Sequence, residues 1–101
     1  MPRKEWIVFF REFQLLVRRR TENGEVLSFA IVLFAQHKGH WIDVSRYDTA
    51  HGYPHRDVLG LKEGLRGKLR MATLNRKQCF RYAIRDLTEN AENYLEDFLA
   101  H

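Results

Sequence analysis

The sequence lacks most of what an exported or membrane-bound chain would carry. Cys79 is its only cysteine, so no internal disulfide can form and a reducing compartment is expected. No segment reads as a secretory signal. The longest apolar runs, around Trp6 to Phe10 and Phe29 to Ala35, fall far short of the roughly 20 residues that a helix needs to cross a bilayer. Internal repeats, low-complexity tracts and linkers are also missing. These absences point to one soluble, cytoplasmic domain with no membrane partner, and 101 residues leave room for one core. A hydrophobic content of 45%, with 13% aromatics, is ample for a packed interior and argues against disorder.

Acidic residues are scarce over one long stretch. From Arg56 to Arg85 the bases are Arg56, Lys62, Arg66, Lys68, Arg70, Arg76, Lys77, Arg81 and Arg85, opposed only by Asp57 and Glu63. From Asp86 onward the balance reverses, with Asp86, Glu89, Glu92, Glu96 and Asp97 and no Lys or Arg. A basic block followed by an acidic tail suggests a polyanion site at one end and a cationic neighbour at the other. Solvated surface charge is the plainer alternative.

Hydrophobic patterning predicts an α+β domain. Trp6 to Val17 alternates as a long strand, with Arg11 and Glu12 marking a bulge or a change of cover. Asn23-Gly24 and Lys38-Gly39 are tight-turn signals, and the Val26 to Gln36 run between them is apolar on both faces, as in a central strand. Trp41 to Asp48 forms a further strand whose parity places Ile42, Val44, Arg46 and Asp48 together. After a loop from Thr49 to Pro54, His55 to Leu59 returns as a strand, and Gly60, Gly64 and Gly67 suggest a short extra hairpin. Asn75 and Gln78 form a capping box for one long helix from about Arg76 to Leu99, unless Thr88 caps a second. The expectation is a curved antiparallel sheet of four or more strands with one long C-terminal helix packed on a face. The sheet's other apolar face then lacks cover, which argues for a partner chain, with a homodimer as one candidate. Arg76 and Lys77 at the helix start and Glu96 and Asp97 at its end oppose the helix dipole. A phosphate at the start, and Arg18 to Arg20 at the end, would compensate them.

One segment concentrates polar chemistry. Arg46-Tyr47-Asp48-Thr49-Ala50-His51-Gly52-Tyr53-Pro54-His55-Arg56-Asp57 carries paired imidazoles, guanidiniums, carboxylates and phenols. Such parts suit a metal-independent ribonuclease. His51 and His55 would act as acid and base, Arg46 and Arg56 would neutralise the phosphate, and Asp48 would orient an imidazole. Tyr47 and Tyr53 would stack on unpaired bases, and Arg76 and Lys77 would add phosphate contacts. Neither a metal nor an organic cofactor is required. Two other readings stay open. Arg46 and Asp48 can form a sheet-edge ion pair beside turn-capping histidines, or Asp48, His51 and His55, with His37 and His40, can ligate a metal. Cys79, in the first helical turn, is either an activated thiol or a buried structural one.

The run from Arg46 to Arg56 also resembles a signature of small prokaryotic proteins that include TumE-like toxins of type II toxin–antitoxin pairs. The shared pattern is Arg-Tyr-Asp, a short loop, a His-rich return strand and a C-terminal helix, mapping here onto Arg46, Asp48, His51 and His55. Toxin members carry more histidines on the return strand than His55-Arg56-Asp57-Val58 provides. The resemblance implies a ribonuclease-like toxin acting on single-stranded RNA, partnered by an antitoxin protein. The alternative is a non-catalytic module that binds nucleic acid or protein.

Overall fold

Hairpin follows hairpin along the first seventy residues of the computed structural model, which describes residues 2–101, with the backbone alone at His51. The strands are β1 (Arg3–Phe10), β2 (Phe13–Glu22), β3 (Glu25–His37), β4 (His40–Asp48), β5 (His55–Gly60) and β6 (Gly64–Arg70). They form one open antiparallel sheet in the order of the chain. Asn23-Gly24 and Lys38-Gly39 make the turns predicted for them, with φ of 50° and 79° and of 50° and 81°. These left-handed angles match the twist of the strands they join.

Between Trp6 and Val17 the chain does not run through as one strand. It reverses at Arg11 and Glu12, so that Phe10 faces Phe13 and Trp6 faces Val17. Arg11 takes φ 52°, a value rare for a long side chain, and its guanidinium lies over the Phe10 and Phe13 rings at 5.4 and 5.7 Å. Cation–π contact and an ion pair to Glu92 at 3.4 Å compensate the backbone cost.

The single long helix is likewise replaced by two, α1 (Arg76–Glu89) and α2 (Ala91–Ala100). The capping box stands as expected, with the Asn75 side chain accepting from the Gln78 amide and the Gln78 side chain accepting from the Asn75 amide. The break falls at Asn90, not Thr88. The Thr88 hydroxyl donates back to the Ile84 carbonyl at 2.7 Å, while the Asn90 backbone and side chain both bond to Asp86. The kink lets α1 lie on β3 while α2 turns onto β4 and β5. Amides of Leu61, Lys62 and Glu63 donate to the Phe98 and His101 carbonyls, so the β5–β6 turn closes the free end of α2.

Phe13, Leu15, Val17, Phe29, Ile31, Leu33 and Tyr47 are buried from the sheet, and Cys79, Phe80, Ala83, Leu87, Ala91 and Phe98 from the helices. Cys79 is thus the structural thiol, its pKa pushed up to about 11 by burial. The acidic helix end is met by Arg66, 2.8 Å from Asp97, rather than by Arg18 to Arg20, while Arg11 pairs with Glu92 in the first turn of α2. Arg19 instead lies over the Trp6 and Phe80 rings, at 5.7 and 5.3 Å.

Candidate functional site

A bulge on β4 decides which side chains share the open face. Leu33 pairs with Ser45 and Phe34 with Asp43, leaving Val44 as an extra residue. That extra residue reverses the parity of everything after it. Ile42 lies on the helix-covered face with Ala35, whereas Arg46 and Asp48 lie on the opposite one with Val32 and Ala30. Arg46 and Asp48 therefore do not form the core-edge pair expected of them; each finds its partner on β5.

Directly paired residues of antiparallel strands point to the same side, so the register lays out the open face in rows. One row runs Ile7, Leu16, Val32, Arg46, Asp57, Lys68 across the whole sheet. Its neighbour runs Glu5, Arg18, Ala30, Asp48, His55, Arg70. Beyond them lie Arg3, Arg20 and Ser28 on one side and Phe9, Gln14, Phe34 and Asp43 on the other. No element covers this face among the described residues.

The β4–β6 side of the face is an ionic cluster centred on Asp57, whose side chain is 2% exposed. Arg46 Nε donates to its Oδ2 at 2.5 Å and Lys68 Nζ to its Oδ1 at 2.9 Å. Burial pushes the Asp57 carboxyl up, but the hydrogen bonds from Lys68 and Arg46 outweigh it and hold the group below the usual carboxylate range. The same bond raises the Arg46 guanidinium further.

His55 is fully buried beside this cluster. Its Nε2 lies 3.0 Å from Asp48 Oδ1, 3.4 Å from Asp57 Oδ1 and 3.3 Å from Lys68 Nζ. Its Nδ1 lies 3.3 Å from the Tyr53 carbonyl. Tyr53 covers the imidazole at 5.6 Å between ring centres, and Arg70 covers Tyr53 at 4.6 Å. Asp48, expected from the sequence to orient an imidazole, thus lies beside His55. His51 sits in a 3-10 turn (Ala50–Gly52) just after Asp48; its side chain lies outside the described residues.

Four predicted nucleic-acid contacts lie elsewhere. Tyr47 is buried on the helix side, its hydroxyl donating to Asp86 Oδ2 at 2.7 Å, which with burial raises the phenol's pKa. No base can stack on it. Arg56 is on that side too, donating to Ser45 Oγ at 3.2 Å and lying 4.8 Å over the Tyr94 ring. Arg76 is exposed at the start of α1 and donates to the Gly52 carbonyl at 3.0 Å, tying the helix to the turn that carries His51. Lys77 is exposed beside it. Lys68 and Arg70 stand out in the sequence only as members of the basic block, because the β5–β6 register alone shows that they face Asp57 and His55.

Asp48, His55 and Asp57 bring ligand atoms within 4.8 Å of one another, a spacing compatible with a metal. The Lys68 ammonium already lies against Asp57 and His55, and Arg46 takes the other Asp57 oxygen. A divalent cation would have to expel one positive charge and sit beside another, so this donor set does not suit one. His37 and His40, proposed as further ligands, face each other across the turn at the far end of β4.

Fold and site together define an α+β protein in which an antiparallel six-stranded meander is backed on one face by two helices and bears an ionic cluster on the other. The chain belongs to the DUF7718 family, a domain of unknown function whose model matches residues 1–101. No curated protein and no solved structure matches it. No helix among the described residues is long and apolar enough to cross a membrane.

Proposed function

We propose that this domain binds single-stranded RNA on the open face of its sheet. The observation that carries the reading is the pairing of uncovered apolar and aromatic side chains with cations on that one face. Phe9 is 68% exposed and Ile7 51% exposed, with Phe34 in the same row as Phe9. Arg18, Arg46, Lys68 and Arg70 stand in the adjoining rows. Unpaired bases stack on rings of this kind while guanidinium and ammonium groups hold the phosphates. The resemblance of the Arg46–Arg56 run to TumE-like toxins supports RNA as the target and makes an antitoxin the expected protein partner.

Binding is favoured over cutting because of His55. A general acid or base must reach the atom whose proton it moves, and His55 is fully buried with both ring nitrogens engaged. Cleavage is the second reading, and the 3.0 Å Asp48–His55 pair beside the His51 turn is what favours it.

The test incubates the protein with end-labelled single-stranded RNA across a salt series, with and without EDTA, beside Phe9→Ala and His51→Ala/His55→Ala. Retention that weakens with salt and is reduced in Phe9→Ala, without product, is the expected result. Product that survives EDTA and vanishes in the double variant would make the chain a ribonuclease. Absence of both retention and product would sink the RNA reading. A dimer by light scattering that persists and excludes RNA would give the face to a second copy of the chain.

A further inference from the structure

The ends of β1 and β2 place like charges against each other, one pair on each face of the sheet. Arg3 is the direct partner of Arg20, and one position on, Lys4 is the partner of Arg19. Directly opposed like charges destabilise a strand pair. Glu5, the acidic residue in the adjoining row, is held by Arg18 at 2.6 Å. Arg19 is accounted for on the helix side by its two aromatic rings. Arg3, Arg18 and Arg20 thus gather on the open face around Glu5.

The three arginines stand around a recess of about 480 Å³, whose lining also includes Glu5, Ser28 and Ala30. Its floor is low for a reason legible in the register. Ser28 lies opposite Arg20 and Ala30 opposite Arg18, so the two smallest side chains on this face of β3 fall where the cations gather. A register shift between Arg20 and Thr21 adds local twist there.

We infer that this recess is a phosphate-binding site. Guanidinium forks match phosphate oxygens with two hydrogen bonds each, and the Ser28 hydroxyl adds a donor. A bound phosphate brings negative charge to the place where Arg3 and Arg20 oppose each other. On the RNA reading above, on which this occupant rests, the phosphate is one of the sugar-phosphate backbone. Ala30 is the direct partner of Arg18 on one side and of Asp48 on the other. With strands spaced about 4.8 Å apart, the cradle lies roughly 10 Å from the Asp48–His55 pair, with one methyl group between. Backbone held in the recess thus passes on to the ionic cluster and to the turn bearing His51.

The test uses the full chain and the double variant Arg3→Gln/Arg20→Gln. Inorganic phosphate is titrated against chloride at matched ionic strength and followed by NMR on the amides around Arg20 and Ser28. Saturable shifts in the parent that disappear in the variant are expected. Amide resonances of the variant that stay dispersed, and unmoved away from the recess, separate loss of the site from loss of the fold. In parallel, the RNA salt dependence should become shallower by about 0.7 in log–log slope for each phosphate that the variant no longer neutralises. No saturable shift in the parent, or the same shift in the variant, overturns the site. An unchanged RNA salt slope in the variant also overturns it while leaving RNA binding intact. Phosphate shifts in a parent that retains no RNA uphold the recess and sink the RNA reading instead.

Discussion

Asp57 and Lys68 face each other across the β5–β6 hairpin, their charged atoms 2.9 Å apart on a sheet face that no other described element covers. The carboxylate is nearly inaccessible, while its two cationic partners, Lys68 and Arg46, stay more than a third exposed. The cations shield the acid from water, and the acid anchors the cations on the face. Removing the buried member should therefore cost more than removing either lid. Asp57→Ala is expected to lose about 2 kcal/mol, below the usual figure for breaking a buried pair because its partners can turn to solvent. Lys68→Ala should lose less than half of that. Urea unfolding of both variants checks the order, and an equal loss from each would contradict the asymmetry.

The same cluster sets an acid limit. The Asp57 carboxyl is held below its ordinary value of 3.8, chiefly by Lys68 and Arg46 against the opposing effect of burial. A depressed folded pKa contributes stability that is complete above the unfolded value and is lost as pH falls through the folded one. The gap in stability between the parent and Asp57→Asn should therefore stay constant from neutral pH to about 5 and narrow below about 4. A gap that narrows already near neutrality would point to another group.

At the alkaline end the sign reverses. Burial pushes the Cys79 thiol from 9.0 up to about 11. Burial and the hydrogen bond to Asp86 push the Tyr94 phenol from 10.0 up to about 12, and the same two causes act on Tyr47. Raised folded values contribute stability that is complete below the unfolded values and is lost as pH climbs through the folded ones. The melting temperature should hold up to about pH 9 and fall steadily beyond it. A Tyr94→Phe variant should show a shallower fall, since one of the coupled phenols is gone.

Gly60 makes the tightest backbone approach among the glycines. A Cβ there would come within 3.0 Å of the Arg66 Cδ and of the His101 backbone and Cβ, where the β5–β6 turn closes the end of α2. Gly60→Ala should destabilise the chain by about 1–2 kcal/mol through overpacking. Gly67→Ala, with no atom within 4 Å of the added Cβ, is the matched control. Similar melting temperatures for the two variants would mean that α2 can shift off the turn freely.

What could be read from the sequence was what depends on neighbours in the chain. The Asn23-Gly24 and Lys38-Gly39 turns and the Asn75–Gln78 capping box are local chemistry, and the structure contains all three. Arg11-Glu12 escaped notice as a turn because an arginine at positive φ is held by the rings it covers, Phe10 and Phe13, and not by a local preference. The bulge at Val44 was invisible for a related reason. Ile42, Val44, Arg46 and Asp48 alternate evenly in sequence, and only pairing with β3 reveals the extra residue. That one residue moved Arg46 and Asp48 to the open face and Tyr47 to the core. The Asp48–His55 and Asp57–Lys68 pairs depend in turn on the register of two hairpins, which spacing along the chain does not encode.

Phe9 offers the sharpest separation of function from folding. It lies on edge strand β1 with 68% of its surface exposed, opposite Gln14 and in the same row as Phe34. So exposed a ring contributes little to the core, and Phe9→Ala should change stability by no more than about 0.5 kcal/mol. A ring that stacks on an unpaired base is worth about 1–3 kcal/mol of binding, so the same substitution should weaken single-stranded RNA retention by about 5-fold or more. Phe13→Ala is the counterpart, because Phe13 is buried against the helices and its loss should cost about 3 kcal/mol of stability or more. Fluorescence melts and filter retention on the two variants decide the matter. If Phe9→Ala binds RNA like the parent, the aromatic row is not where bases sit, whatever the cations on the rest of the face hold.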